Sequence, residues 1–202
     1  MAPKAHAILS PSAAARWLKC PASVAMTASM PEETSPYALE GSIAHAVAES
    51  VLTGEPYRAP EGAEGTTPDV GALAEEVKPY TDYVLRAADG AAAFAVEHYL
   101  DCSWLAPECF GTSDAVIVQQ GTLEIVDLKT GRGVWVKAVG NLQLLIYARA
   151  ACEEFKAYGI RQVRMTIVQP PLKRLETWTI SIDDLYRLTD GMKPAAAEAL
   201  RE

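Results

Sequence analysis

Apolar residues recur at helical spacing from Tyr37 to Leu52, where Ile43, Val47 and Val51 share one face and Gly54 closes the run. A second helix is predicted from about Val70 to Ala88. The pattern then switches to alternation, giving strands at Phe94–Leu100, Ser113–Gln119 and Leu123–Lys129. Gln120-Gly121 is a tight-turn signal joining the last two. Val139 to Tyr158 reads as a strong amphipathic helix closed by Gly159. Strands follow at Gln162–Gln169, ending at Pro170-Pro171, and at Glu176–Ile180. Ser181-x-x-Asp184 then has the form of a capping box opening a last helix. Upstream, SPSAAARWLKC predicts a short helix with Ser10 or Ser12 near its N-cap, stopped by Pro21. Residues 27–37 read as a loop, and the Gly/Pro-rich stretch 54–71 as a long surface excursion rather than a domain boundary. There is no internal repeat. The order predicts an α/β fold, a mixed central β-sheet flanked by helices, in one domain over 1–202: a helical part, 1–90, and a core, 91–202.

Composition narrows the setting. The chain has 202 residues, half of them apolar and 22% charged, which suits a folded domain with a substantial core. No run of eighteen apolar residues occurs, so no membrane helix is expected. The first twenty residues lack the apolar core of a secretory signal, which predicts a cytoplasmic, reducing setting. Cys20, Cys102, Cys109 and Cys152 are scattered with no C-x-x-C pair, and read as free thiols.

The net charge of −8 argues against a simple basic nucleic-acid coat, but it hides an asymmetry. Residues 1–110 carry 6 Lys/Arg against 15 Asp/Glu, whereas 129–174 carry 9 against 2. That segment suits a phosphate-bearing partner, or equally a solvated helix face.

The chemistry concentrates in GTSDAVIVQQGTLEIVDLKTG. Side chains two apart on a strand share a face, so Asp127 and Lys129 point together, and Glu124 points away as a structural or solvated group. Antiparallel pairing brings Asp114 to the same end of the hairpin. Two carboxylates and an amine converging there suit a hard divalent cation plus a point charge for a phosphate or an attacking water. On these residues alone a wet hairpin face with a cross-strand ion pair fits as well. Two features favour the first reading. Asp127 interrupts the apolar run EIVDL, where a charge is costly without a partner. Thr130-Gly131-Arg132-Gly133 then follows, a loop able to aim backbone N–H groups and a cation at an anion.

The string G-T-S-D, then E-I-V-D-L-K-T-G, then G-N-L-Q-L-L-I-Y-A resembles the PD-(D/E)XK nuclease superfamily in its RecB-type exonuclease branch. Phage-encoded members of that branch, related to the exonucleases of CRISPR adaptation, resemble it along nearly the whole chain. The resemblance implies a restriction-endonuclease-like core and catalytic roles for Asp114, Asp127, Lys129, Gln143 and Tyr147. It implies that Mg²⁺ or Mn²⁺ is held by His45, Asp114, Asp127 and the Leu128 carbonyl, His45 lying in the E-G-x-x-x-H motif that starts at Glu40. Glu40 and Glu97 are possible additional site residues. Many relatives bind an iron–sulfur cluster through one early cysteine and three late ones. Cys20 matches the first position, but no cysteine follows Cys152, so no cluster is expected in this chain.

The implied activity is metal-dependent hydrolysis of DNA phosphodiesters, most simply by an exonuclease acting on DNA ends in phage recombination or replication. Arg132 and Lys137 would touch the DNA backbone; Trp135 would stack on a base or else bury itself beneath the loop. Single- or double-stranded DNA ends are the implied partner, with a single-strand annealing or other recombination protein beside them and an oligomer compatible with the family. The alternative is a non-catalytic nucleic-acid-binding recombination module on the same fold.

Overall fold

The computed structural model describes residues 7–28, 35–63 and 65–201. Part of the loop expected at 27–37 therefore lies outside the described residues. The chain opens with a 3₁₀ turn, Pro11–Ala13, running into α1 (Ala14–Trp17). Ser10 holds the N-cap position without a side-chain cap bond. Its carbonyl instead accepts the indole N–H of fully buried Trp17 at 3.0 Å. A further short helix, α2 (Ser23–Ala28), follows Pro21, extending the expected helical start.

Two long helices come next. In α3 (Pro36–Thr53), Ser35 caps the N-terminus through Ala38 N–H, and Gly54 ends the helix in the left-handed conformation. Asp69 caps α4 (Val70–Ala88), which runs on through Pro79. Then come β1 (Ala93–Asp101), β2 (Phe110–Gln119) and β3 (Thr122–Leu128). Gln120 and Gly121 both have positive φ, as the type I′ turn between twisted strands requires.

The connecting helix α5 (Leu142–Glu154) starts three residues later than periodicity suggests. Gly140 adopts φ +71, and the Asn141 side chain accepts Leu144 N–H, which fixes the start. A 3₁₀ turn at Lys156–Tyr158, not α-helix, completes the stretch before Gly159. Then follow β4 (Gln162–Gln169), β5 (Arg174–Ser181), α6 (Ile182–Asp190) and α7 (Lys193–Ala199). Ser181 caps α6 as expected, but the return bond of a capping box comes from its hydroxyl: Asp184 N–H donates to Ser181 Oγ at 3.1 Å, and that hydroxyl donates to Asp184 Oδ2 at 2.8 Å. The single expected last helix is two, parted at Gly191 with Pro194 in the first turn of α7.

The five strands form one mixed sheet in the order β1-β2-β3-β4-β5, with β3 and β4 parallel and the other neighbours antiparallel. α5 makes the crossover that a parallel pair needs. One apolar layer packs Leu123, Ile125, Met165 and Ile167 of the sheet with Leu144 and Ile146 of α5 and with Trp17. The other packs Ile117, Val126 and Leu128 with Val47 of α3 and Val77 and Val84 of α4. Strand parity thus holds along β3, and the helices cover both faces. Among the described residues no helix is long and apolar enough to cross a membrane.

Candidate active site

The site forms where the sheet comes apart. The β2–β3 ladder ends at Ala115↔Val126, so the strands part at Asp114. Asp114 Oδ2 then accepts the backbone N–H of Leu128 at 2.6 Å, which fixes the carboxylate between the strand ends. The β1–β2 register pairs Val96 with Ala115 and His98 with Ser113, and skips the Glu97–Asp114 step between them. Glu97 takes φ +46 there, a left-handed conformation that costs a non-glycine residue roughly 1–3 kcal/mol. The twist breaks the alternation of β1. Val96 packs with the α3/α4 layer, whereas Leu100, of the same parity, lies in the α5 layer.

His45, on α3, completes the group. Its Nδ1 lies 3.3 Å from Asp114 Oδ1 and 3.8 Å from Glu97 Oε1. One donor atom from each of His45, Glu97 and Asp114 falls within 4.8 Å of the others. Burial works against charging the imidazole, but the two carboxylates outweigh it and hold its pKa up to about 10. Burial raises the Glu97 carboxyl, with like charge from Asp114 adding and the His45 hydrogen bond opposing.

Asp127 stands apart from that trio and faces Lys129. Its Oδ1 accepts from Lys129 Nζ at 3.1 Å, while Oδ2 lies 2.9 Å from the same ammonium outside hydrogen-bonding geometry. Burial pushes the Asp127 carboxyl up to about 6, Lys129 opposing and Asp114 adding. Lys129 is held above the usual lysine range: burial lowers it, but the ion pair with Asp127 prevails. The ammonium also donates to Gln143 Oε1, on α5, at 3.2 Å. Tyr147, one turn on, is buried, and burial raises its phenol together with the nearby Cys102, Asp114 and Asp127. Its ring lies against Gly111: a Cβ there would come within 2.6 Å of the Tyr147 hydroxyl. Leu128 reaches the site through its backbone.

The other expected residues surround this centre. A cavity of about 760 Å³ lies between α3, α4 and the loop after Lys129, lined among others by Glu40, Ala44, Leu73, Glu76 and Arg132. Glu40 is exposed on its wall, outside the His45–Glu97–Asp114 group. Arg132 closes one side by an ion pair to Glu76 at 2.8 Å. Gly41 lets α3 approach this loop, since a Cβ would meet Thr130 Oγ1 at 3.2 Å. Trp135 is 43% exposed, with Lys137 Nζ 5.5 Å and the Arg174 guanidinium 5.3 Å from its ring centroid.

Two contributors escape sequence reasoning. Tyr80 sits fully buried on α4, its phenol raised by burial and by the charges of Asp114, Glu97 and Asp127. Its spacing from Val77 and Val84 marks it only as core. Gln169 is fully buried and holds the loop: Nε2 donates to the carbonyls of Gly131 and Val134, and Oε1 accepts Val136 N–H. Glu124 is structural. Buried, it accepts from Tyr83 and Thr166, both at 2.6 Å, and lies 3.4 Å from Arg164.

Residues 6–202 match the family described as Protein of unknown function (DUF2800). The chain belongs to the DUF2800 family. The structure of this DUF2800 member is similar to that of a protein from Eubacterium rectale named as an exonuclease, with a TM-score of 0.52 and 14% identity over 96% of this chain and 80% of the other. The fold is shared. LHK-Exo of Laribacter hongkongensis, an alkaline exonuclease solved with dAMP, aligns at 11% identity over 94% and 86% of the chains, with a TM-score of 0.42. A phage-related exonuclease from Haemophilus somnus aligns at 14% identity over 94% and 92%, with a TM-score of 0.35.

Proposed function

We propose that this DUF2800 member is a divalent-metal-dependent deoxyribonuclease, acting as an exonuclease on DNA ends in phage recombination or replication. The observation that carries the reading is buried Asp127 paired with half-buried Lys129 and set beside the His45–Glu97–Asp114 group at the open end of the sheet. A structural ion pair needs no second cluster of donors next to it. The fold shared with the Eubacterium rectale exonuclease supports the same reading.

The donor set fits a hard cation. Glu97 and Asp114 meet at His45, with the Asp127–Lys129 pair beside them, and like charge contributes to the raised pKa of both Glu97 and Asp127. One imidazole and carboxylate oxygens suit Mg²⁺ or Mn²⁺ better than a soft metal. His45, Glu97 and Asp114 would hold the ion, with Asp127 and the Leu128 carbonyl completing the set. When bound, the ion supplies charge neutralisation and Lewis acidity toward a phosphate oxygen.

The chain's own residues do the rest. Lys129, kept protonated by Asp127, serves as a cation that orients the attacking water and steadies a phosphate oxygen rather than as a base. Gln143 fixes the ammonium from the helix side, and Tyr147 packs the base of that helix against β2.

The test uses end-labelled linear and circular DNA, single- and double-stranded, with Mg²⁺, Mn²⁺ or EDTA. Wild-type protein is run beside Asp127→Ala and Lys129→Ala. The expected result is metal-dependent loss of linear substrate that both variants lack, with native circular dichroism retained. Cleavage undiminished in Asp127→Ala overturns the assignment. Cutting of circles replaces exonuclease by endonuclease.

A further inference from the structure

We infer that the loop after Lys129 and the β4–β5 turn together form a docking platform for single-stranded DNA, centred on Trp135. The inference rests on the nuclease reading and adds the form of substrate it takes.

The loop leaves the site at Lys129 and returns to it at Gln143, and the hydrogen bond between those side chains closes its base at 3.2 Å. Trp135 is six residues from Lys129, so even a fully extended chain keeps it within about 20 Å, a few nucleotides of strand. A loop of Gly, Arg and Val is ordinarily mobile, yet this one is fixed from below. Gln169 engages three of its backbone groups, and Glu176 accepts Ala138 N–H at 2.9 Å. The indole is therefore held out partly open to solvent, with Val134 beside it 77% exposed. A loop that merely closed over the core would bury its tryptophan.

The surroundings of the ring select the partner. Lys137 and Arg174 stand within cation–π range of it, and Lys173 precedes Arg174 on the same exposed turn. Among the described residues none of these three cations has a carboxylate partner, whereas Arg132 is paired with Glu76. Glu176, on the same strand, is half-buried and committed to the loop backbone. In a chain of net charge −8, an aromatic face with two unneutralised cations at the ring, and Lys173 next to one of them in sequence, suits a polyanion that also offers flat rings. Single-stranded DNA presents both at once, stacking bases while the cations follow its phosphates. Duplex hides the faces of its bases, so it offers only the charge.

The test measures binding without catalysis, in EDTA, so it stands whether or not cleavage is found. Fluorescence anisotropy of labelled dT₁₂, an abasic 12-mer and a blunt 12-bp duplex is read across a salt series with the full chain. Trp135→Ala is expected to weaken dT₁₂ about 5- to 150-fold, and to leave the abasic strand nearly unaffected. Lys173→Ala/Arg174→Ala should lower the slope of log affinity against log salt by about 0.7 for each phosphate that the protein no longer neutralises. Both changes lie on the surface, and unchanged melting confirms intact folding. Equal binding of dT₁₂ by wild type and Trp135→Ala overturns the platform, as does duplex binding as tight as single strand. Absence of DNA binding by the wild type overturns it too.

Discussion

Gly111 on β2 and Tyr147 on α5 are a fitted pair: a Cβ at position 111 would lie 2.6 Å from the phenol oxygen and 2.9 Å from a ring carbon. The glycine of G-T-S-D and the tyrosine of the Q-x-x-x-Y helix thus share a single steric requirement. β2 carries Asp114 and α5 carries Gln143, so the pair sets how closely the two halves of the site approach. Gly111→Ala must push the buried ring outward. We expect a loss of about 1–3 kcal/mol, the usual result of overpacking, read by urea denaturation. Adding Tyr147→Leu should recover part of it, with a coupling energy of about 0.5–3 kcal/mol. Simple additivity of the two changes would show that the clash with Tyr147 is not what destabilises the single variant.

Glu97 separates stability from ligand chemistry. Its positive φ is strained for a glutamate and comfortable for glycine. Glu97→Gly also removes a carboxylate from beside Asp114. The metal-free variant should melt no lower than wild type, because relief of strain and of Asp114 repulsion offsets the glycine entropy and the lost His45 contact. Mn²⁺ is expected to raise the melting temperature of wild type, and in the variant that rise should be lost or much reduced. A variant that melts several degrees lower without metal would mean that the left-handed turn is not strained.

Much of this was legible in the pattern. Alternation fixed the faces of β3, so Asp127 and Lys129 could be placed together and Glu124 opposite, as they lie. The Ser181 N-cap and the Gln120-Gly121 turn rest on local chemistry and read directly. What did not read is non-local or conformational. A glutamate in left-handed backbone carries no local signal, so Glu97 reads as a possible site residue while the break it makes in β1 does not. Tyr80 has core spacing and nothing marks the carboxylates above it. Gln169 ends an apolar strand, and its amide finds its three partners 33 to 38 residues back in the chain.

The Glu124 network is a second buried carboxylate with a different purpose, and alkaline pH distinguishes it. Tyr83 donates to Glu124 at 2.6 Å, and its phenol is raised above the ordinary value of 10.0, by burial first and then by that bond. The neutral phenol is thus favoured in the folded state. Its contribution is fully present below the unfolded pKa near 10 and is lost as pH rises through the folded value. Stability of wild type minus that of Tyr83→Phe should therefore be flat from pH 7 to about 9.5 and shrink above it. A difference that stays constant to pH 11 would mean the hydroxyl is not selectively held neutral.

Gln169 tests whether the loop is positioned or merely covered. Its amide group is fully buried, donating to two carbonyls and accepting one N–H. Gln169→Leu keeps the volume but leaves those groups unpaired, at about 1–3 kcal/mol for each that water cannot reach. Gln169→Glu, conservative on paper, keeps the acceptor for Val136 but sets an oxygen against the carbonyls of Gly131 and Val134. It should be the less stable of the two at neutral pH, because a buried carboxylate facing carbonyl oxygens is repelled as well as desolvated. The Lys129–Gln143 hydrogen bond at the base of the loop does not pass through Gln169. If the loop serves only to receive DNA, Gln169→Leu should raise KM for single-stranded substrate about tenfold and leave kcat within about twofold, since lost uniform binding appears in KM alone. A parallel fall in kcat would place the loop in the chemical step, and unchanged kinetics in a destabilised variant would leave Gln169 a purely structural clamp.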